Sequence, residues 1–409
     1  MQKSQMAILK KIPLFVLISL LLLLFQTAIA SASTAQSTPE ETAEMFLETR
    51  MQSLVTQNAD DIVPFFAESE EAELYLLFNQ NELLSMYLIP MAESNYKYEN
   101  VVPKVLINSI NVTGNTAVVD ATLFSEMLWN AANPTGKGIT SHISEDHLLT
   151  LIEQNGVWYI NTDDYNCELG NAKQIDNNKK AILSAEVKKL QDEAKQKIEK
   201  ANISQPMKIE FSNTNIDQSV ASTRAAYNRE GSQAYADNYW YNFNPAYKDM
   251  SSNGGGGDCT NFVSQCIRAG GASNDKIGSY KWWYDNKGTS STSDDTWEWT
   301  WGTVSGLNYA LKGNYTQSEY GPKAYEIVIQ GDSNYNYSWG NQIQLGDVIQ
   351  YENSSGLYHS VIVTGFVIQY YNGEAYSNPL ISQHSSSKHN VSWQKSAYKT
   401  HFLFMTGVN

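Results

Sequence analysis

The chain has 409 residues, which is long enough for two or three domains, and its formal net charge is -15. This acidic balance excludes a protein that grips nucleic acid through its phosphates, because like charges repel. With only three cysteines, the chain is not a disulfide scaffold either.

The first 32 residues have the pattern of an export signal. Lys10 and Lys11 precede an apolar run at 12–25, and small residues follow up to Ala32. We therefore expect residues 1–32 to be cleaved and the protein to be secreted or held at the cell surface. The alternative is an uncleaved anchor, since the run is almost long enough to span a bilayer. No later segment is, so no stable membrane span is expected after cleavage.

Residues 38–166 are predicted to form an α+β unit of three helices and a β-meander, similar in order to cone-shaped nuclear-transport-factor-like domains. Its first helix is indicated by a capping box at 38–41 with proline at the first helical position. Hairpin turns are indicated at 114–115 and 155–156. We interpret the unit as a spacer or binding domain. The further helices are expected at 60–67 and 70–91, and the strands at 101–111, 116–128, 147–154 and 158–161.

Residues 171–202 are predicted to form one linker helix. Apolar residues recur at three- and four-residue spacing among many lysines and glutamates. This stripe favours packing on a neighbouring domain, and a short coiled-coil seam is the alternative. The stripe consists of Leu183, Val187, Leu190, Ala194 and Ile198.

Residues 220–409 are rich in Trp, Tyr, Asn, Ser and Gly, and we predict a second α+β domain there. Its helices come first and an antiparallel sheet follows. The helices are expected at 222–240 and 259–268, and the strands at 347–351, 359–370, 374–384 and 399–405.

Cys259 follows a run of four glycines and begins the second of these helices. A helix N-terminus carries partial positive charge and unpaired N–H groups, and both favour the thiolate, which is the nucleophile. The N–H of Cys259 is also the natural donor to an oxyanion. Cys266 lies two turns further along the same helix, about 10 Å away at 1.5 Å per residue, which is too far for a disulfide.

His359 lies in an apolar strand about a hundred residues later and completes a Cys/His pair suited to acyl transfer. The alternative is a small buried cysteine and an ordinary strand histidine. Either residue alone favours that alternative, whereas both together in these settings favour catalysis.

A third polar group should orient His359. Asn372-Gly373 is a strong hairpin turn, so the flanking residues pair symmetrically about it and His384 lies opposite Val361. His384 then shares a face with His359 and reaches it diagonally. A bulge near Pro379 would change this register and make Gln383 or Asn390 the candidate. A polar residue at a strand end is the other interpretation of His384.

Four residues are candidates for contacting substrate. Asp258 is suited to cap the helix, and Asn261 and Gln265 share one helical face. Buried structural hydrogen bonding is the alternative for the last two. Trp299 belongs to an aromatic insertion between Cys259 and His359 that is suited to line a groove for sugars or peptides.

No metal or cofactor is expected. The spacing of His142 and His147 suits neither a helical nor a strand face, and nothing nearby completes a zinc site, so we interpret both as solvated.

Motifs along residues 221–409 are similar, in order, to those of a known family. The sequence resembles the putative amidase domain of exported bacterial proteins, a family similar to the papain-like CHAP and NlpC-type peptidases that cleave amide bonds in peptidoglycan stems. The resemblance implies a papain-like fold, Cys259 as nucleophile, His359 as base and His384 in the third polar position. It also implies a cell-wall peptide or glycopeptide as substrate. The motifs are Asp258-Cys259-Thr260-Asn261-Phe262-Val263-Ser264-Gln265-Cys266, His359-Ser360-Val361-Ile362-Val363-Thr364-Gly365, and the segments 227–229, 235–236, 269–271, 282–284, 346–348 and 384–385.

The sequence thus predicts an exported cysteine amidase or peptidase. One alternative is a binding module in which the aromatic insertion holds a glycan or peptide and the Cys/His pair is a relic. Another is transglutaminase-like cross-linking, which usually uses an Asp as orienting group, and the hairpin supplies none.

Overall fold

The computed structural model describes residues 37–93, 96–132, 138–167, 170–171, 180–203, 227–251, 257–317, 320–331, 342–371, 374–393 and 398–408. The expected export signal, most of the glycine run and the hairpin turn at 372–373 lie outside these residues. No helix among the described residues combines the length and the apolar character needed to cross a membrane.

The first helix, α1 (Pro39–Thr56), begins at the expected capping box. The Thr38 hydroxyl accepts a hydrogen bond from the Glu41 N–H at 3.1 Å, and the Glu41 carboxylate accepts one from the Thr38 N–H at 2.9 Å. These bonds satisfy two N–H groups that a helix start leaves unpaired. The second predicted helix is a 3₁₀ helix (Ala59–Phe65).

The third predicted helix consists of three segments. It runs as α2 (Glu70–Glu82), a π-helical stretch (Leu83–Leu88) and α3 (Ile89–Glu93). Ser69 caps its start through a 3.0 Å hydrogen bond from the Ala72 N–H.

A meander of four strands follows, joined by the turns expected at 114–115 and 155–156. The third strand begins nine residues before the predicted position of 147. Its early half alternates between buried and exposed residues, but Ser141, Glu145 and His147 are polar and buried. The hydropathy pattern therefore did not reveal a strand, and the interpretation of His147 as solvated is wrong. The strands are β1 (Tyr98–Thr113), β2 (Thr116–Ala132), β3 (Gly138–Gln154) and β4 (Val157–Asp164).

A small hairpin of β5 (Asn166–Cys167) and β6 (Gly170–Asn171) follows, and then α4 (Lys180–Ile203). This is the helix predicted between the two units. Its apolar stripe packs against α2 and α3, with Leu183, Val187 and Ala194 buried.

The C-terminal region places its helices before most of its strands, as predicted. The helices are α5 (Arg229–Tyr239), α6 (Cys259–Ala269), α7 (Trp299–Gly302) and α8 (Val304–Gln317), and a short hairpin of β7 (Tyr284–Asp285) and β8 (Thr296–Trp297) lies between α6 and α7. The remaining strands are β9 (Lys323–Gln330), β10 (Val348–Asn353), β11 (Gly356–Tyr371), β12 (Glu374–Gln383), β13 (Ser387–Ser392) and β14 (Lys399–Gly407).

Among the described residues, ten strands form one antiparallel sheet through both regions. Its order is β1-β2-β3-β13-β12-β11-β10-β14-β9, and β4 pairs with the second half of β3. The junction is the pairing of β3 with β13, at Ser144–Ser387, Ile143–Lys388 and His142–His389. The expected α+β class is confirmed, and the strands of the two regions belong to one sheet.

Two hydrophobic clusters stabilise the sheet. One runs from the N-terminal helices into a face of the C-terminal strands, where it includes Val361 and Val363. The other includes Ile362 and lies beneath α5, α6 and α8. Because successive strand residues point to opposite faces, β11 contributes to both clusters and holds a fixed position between them.

Candidate active site

Gly257 brings the chain into α6 in a conformation that only glycine adopts without strain. Its φ is +84°, in the left-handed region. A Cβ placed there would lie 2.2 Å from the Ser385 hydroxyl, and that hydroxyl accepts a hydrogen bond from the Asp258 N–H at 2.9 Å. Gly257 and Asp258 therefore pack against the turn that follows β12.

Cys259 begins α6, is almost fully buried and forms a hydrogen bond with His359. Burial alone raises the pKa of the thiol. The charge of His359 and its hydrogen bond outweigh burial, with help from the Ser360 backbone and the Thr260 hydroxyl, and the net pKa of Cys259 lies below its ordinary value of 9.0. This site favours the thiolate, the form that acts as a nucleophile.

His359 lies on β11, where it pairs with Tyr351 of β10 and stacks on its ring at 6.0 Å. The next residue, Ser360, fixes this strand to α6. Its hydroxyl lies 3.1 Å from the Thr260 hydroxyl and accepts a hydrogen bond from the Gln350 amide at 3.0 Å. The Cys259 thiol and the His359 imidazole are thus held by rigid elements, which preserves their geometry.

His384 does not form the expected contact with His359. Its Nδ1 lies 2.7 Å from Oδ2 of Asp258, and its Nε2 lies 2.6 Å from the Tyr239 carbonyl oxygen. The ring also stacks on Phe262 at 4.2 Å. Both ring nitrogens are occupied, so His384 supports Asp258, the residue before Cys259.

A β-bulge explains the difference. The strands pair symmetrically about the turn at 372–373 from Tyr371–Glu374 to Gly365–Leu380, as predicted. Beyond that, Val363 pairs with Ile381, so Thr364 is an extra residue that shifts the register by one. Continuing this register places Gln383 opposite Val361, on the face of His359.

Three of the four predicted substrate contacts lie in buried networks. Asp258 occupies the N-cap position, but its Oδ1 accepts bonds from the Met250 N–H and the Asn261 amide at 2.9 and 2.7 Å and does not cap the helix through its side chain. The Asn261 oxygen accepts a 2.7 Å bond from the Trp301 indole N–H. Gln265 accepts a 2.5 Å bond from the Tyr235 hydroxyl.

Trp299, the fourth, is 49% exposed and packs on Tyr309 at 5.7 Å. It does not line the cavity that contains His359. That cavity has a volume of about 490 Å³ and is lined by Asp146, Asn166, Cys167, Ser251, Gly257, Tyr358, His359, Gln383, Ser385 and Ser386.

Several of these lining residues were not predicted. Ser385 and Ser386 form a turn in which both have left-handed φ values, of 62° and 73°, a strained conformation often found at functional sites. Asp146 was missed because the first half of β3 was missed.

In the described part of the chain, no group of three or more His, Cys, Asp and Glu side chains is arranged to hold a metal ion.

The comparisons with known proteins cover part of the chain. A curated relative described as "Uncharacterized protein YhbB", from Bacillus subtilis (strain 168), is 29% identical over 160 residues, which are 38% of this chain and 42% of the relative. The match therefore spans less than half of that relative's length. No solved structure matches the chain. The model of a family described as "Putative amidase domain" matches residues 226–405, which confirms at the level of the amidase family the similarity that the motifs indicated and suggests amide hydrolysis.

Proposed function

We propose that this protein is an exported, papain-like cysteine amidase that cleaves amide bonds in cell-wall peptides or glycopeptides. The observation that carries the proposal is the hydrogen bond between His359 and a Cys259 thiol of lowered pKa, at a helix start and beside a large cavity. An amidase needs an activated nucleophile and a base within reach of one carbonyl group. Export rests on the N-terminal sequence pattern.

In the proposed reaction, the Cys259 thiolate forms a bond to the carbonyl carbon and the π electrons move onto the oxygen. The N–H of Cys259, in the first turn of α6, donates to this oxyanion. The His359 imidazolium gives its proton to the amine as the C–N bond breaks, leaving a thioester. Water then attacks, His359 takes its proton and the thiolate departs.

We assign the orienting role to Gln383 in place of His384. Gln383 is buried and lines the cavity with His359. Its amide donates to the Ser386 carbonyl at 3.0 Å, which fixes the side-chain orientation. An amide oxygen held this way is suited to accept a hydrogen bond from an imidazole and select its tautomer.

The first prediction is that Cys259→Ala lowers turnover of purified cell wall or of peptide amides by at least about a thousandfold, because the nucleophile is gone. Fragments released by the wild-type protein would be identified by mass spectrometry, which also names the bond cleaved. A folded Cys259→Ala variant that keeps wild-type turnover would refute the assignment.

Thiol labelling separates an enzyme from a binding module with a relic Cys/His pair. With a mild alkylating reagent at about pH 6, Cys259 should react rapidly. Cys266 on the same helix is the internal control, because burial holds its pKa well above its ordinary value. Sluggish labelling of both thiols would favour the binding module.

A further inference from the structure

The cavity beside His359 has walls from both parts of the chain. Asp146 of β3 and Asn166 and Cys167 of β5 come from the N-terminal region. They lie across from His359 and Gln383 because β3 pairs with β13, and the Ser385–Ser386 turn enters β13. The N-terminal region is thus part of the site at which the proposed chemistry takes place.

One acidic side chain lines this cavity. Among the lining residues that the structure describes, Asp146 is the one carboxylic acid, and the others carry hydroxyl, amide, thiol and aromatic groups and the His359 imidazole. It is exposed, and in the described part of the chain no lysine, arginine or histidine forms an ion pair with it. A carboxylate facing a cleft without a cationic partner attracts a cation from solution.

The Asp146 carboxylate is also held in position. Its Oδ1 accepts a 2.8 Å hydrogen bond from the Thr122 hydroxyl, which in turn accepts a 3.0 Å bond from the Asn108 amide. These three side chains lie on the adjacent strands β3, β2 and β1. Such a row fixes one oxygen of a carboxylate that lines the cavity, as expected of a preorganised binding group.

We infer that Asp146 determines specificity by binding a free ammonium group of the peptide substrate, so that the N-terminal region selects the molecule that Cys259 cleaves. This inference rests on the proposed amidase function. It names the substrate class as peptides that carry an unacylated amine near the scissile amide. A charge-assisted hydrogen bond between ammonium and carboxylate supplies the selectivity.

The test compares two synthetic peptide amides that differ only in whether a single lysine side chain is free or acetylated. The wild-type, full-length protein should prefer the free amine in kcat/KM by about tenfold, as expected for one charged hydrogen bond. Asp146→Asn should abolish most of this preference by raising KM for the free amine. The preference should also weaken as salt is raised, which a merely structural role would not produce.

Asp120→Asn is the matched control. Asp120 lies on β2 of the same sheet, bonds the same Asn108 at 3.1 Å and does not line the cavity. It should leave the preference unchanged. If amides are cleaved but Asp146→Asn keeps the wild-type preference, or the wild-type protein has none, the inference fails and the amidase stands.

A binding measurement decides the question if no amide is turned over. Calorimetry with the Cys259→Ala protein should show about tenfold tighter binding of the free-amine peptide, and Asp146→Asn in that background should remove the difference. Equal binding of the two peptides would overturn the role of Asp146. Absence of turnover together with selective binding would overturn the amidase alone.

Discussion

The Cys259–His359 pair is positioned by residues next to it in sequence. Thr260 follows the cysteine and Ser360 follows the histidine, and their hydroxyl groups lie 3.1 Å apart. This contact joins the first turn of α6 to β11 beside the Cys259 thiol and the His359 imidazole. Any movement of the helix along the strand would therefore break a buried hydrogen bond, which costs about 1–3 kcal/mol.

The orienting role proposed for Gln383, in place of its neighbour His384, gives a prediction for single substitutions. Gln383→Ala should lower kcat on the order of tenfold to a hundredfold with little change in KM, because His359 loses its orienting partner. The dependence of kcat on pH should shift, since the imidazole then samples other orientations. Gln383→Glu, which keeps an acceptor oxygen, should retain more activity than Gln383→Ala.

His384→Gln is the comparison variant. It removes the contact with Asp258, so the free energy of unfolding should fall. The protein that remains folded should keep the wild-type dependence of kcat on pH. If His384→Gln instead shifted that profile and Gln383→Ala did not, the orienting role would return to His384.

The sequence alone predicts Cys259 and His359, because a glycine-rich helix start and an apolar strand are local patterns. It does not fix the third residue. A single extra residue at Thr364 exchanges the faces of Gln383 and His384, and tertiary packing, which hydropathy does not record, decides where such a bulge forms.

At the scale of elements, β3 is unusual because its buried face carries charged groups. Glu145 and His147 are both buried, and Arg50 of α1 reaches Glu145 at 3.0 Å. His147 lies 2.7 Å from Asp163 of β4. Removing one partner of such a network leaves a buried charge uncompensated, which is more costly than the loss of a surface pair.

This network predicts that the protein loses stability at alkaline pH. Burial opposes protonation of His147, but Asp163 and Glu145 outweigh burial and raise its pKa from 6.5 to about 9. A raised folded-state pKa gives stability that is complete below pH 6.5 and lost as the pH rises through about 9. At about 1.4 kcal/mol per pKa unit, the loss is on the order of 3 kcal/mol. Urea unfolding between pH 6.5 and 9.5 measures it.

His147→Gln and Asp163→Asn should each lower stability at pH 6.5 and flatten its dependence on pH. The two effects should not be additive, since both variants break the same contact between His147 and Asp163. A wild-type protein that is equally stable at pH 6.5 and 9.5 would contradict this account of the network.

Buried charge also explains why this element was predicted only in part. The turns and the apolar halves of the strands follow from alternation and Asn-Gly signals. The segment 138–146 has polar residues at inward positions, and the partners of Glu145 and Ser141, Arg50 of α1 and the Asn390 carbonyl of β13, are distant in sequence. Such distant partners leave no local pattern in the sequence.

For the whole molecule, the pairing of β3 with β13 is the feature that unites fold and proposed function. Side chains add to it: the Ser141 hydroxyl donates to the Asn390 carbonyl at 2.5 Å, and the Lys388 ammonium donates to the Tyr87 hydroxyl at 3.3 Å. One hydrophobic cluster also spans both regions. Weakening this junction should therefore alter the cavity as well as the stability.

The junction contains a pair of histidines that makes it sensitive to acid. Nδ1 of His142 lies 3.3 Å from Nδ1 of His389, so one ring donates and the other must be unprotonated there. Asp237, 2.9 Å from Nε2 of His389, and Glu126, 3.6 Å from Nε2 of His142, are the carboxylates that face the pair. Burial, followed by the charge of His389, lowers the pKa of His142 below 6.5.

A lowered histidine pKa means that the unfolded chain binds the proton more readily, so this contribution to stability falls as the pH drops below 6.5. We expect a loss on the order of 1 kcal/mol, the value of one buried hydrogen bond, together with faster hydrogen exchange at β3 and β13. Asp347, whose pKa burial raises to about 6 despite Arg229, works in the opposite direction over part of this range. The wild-type protein must therefore be compared with His142→Asn, which should flatten the acid response and leave that of Asp347 intact. An acid response that is the same in both proteins would show that the histidine pair does not couple the two regions.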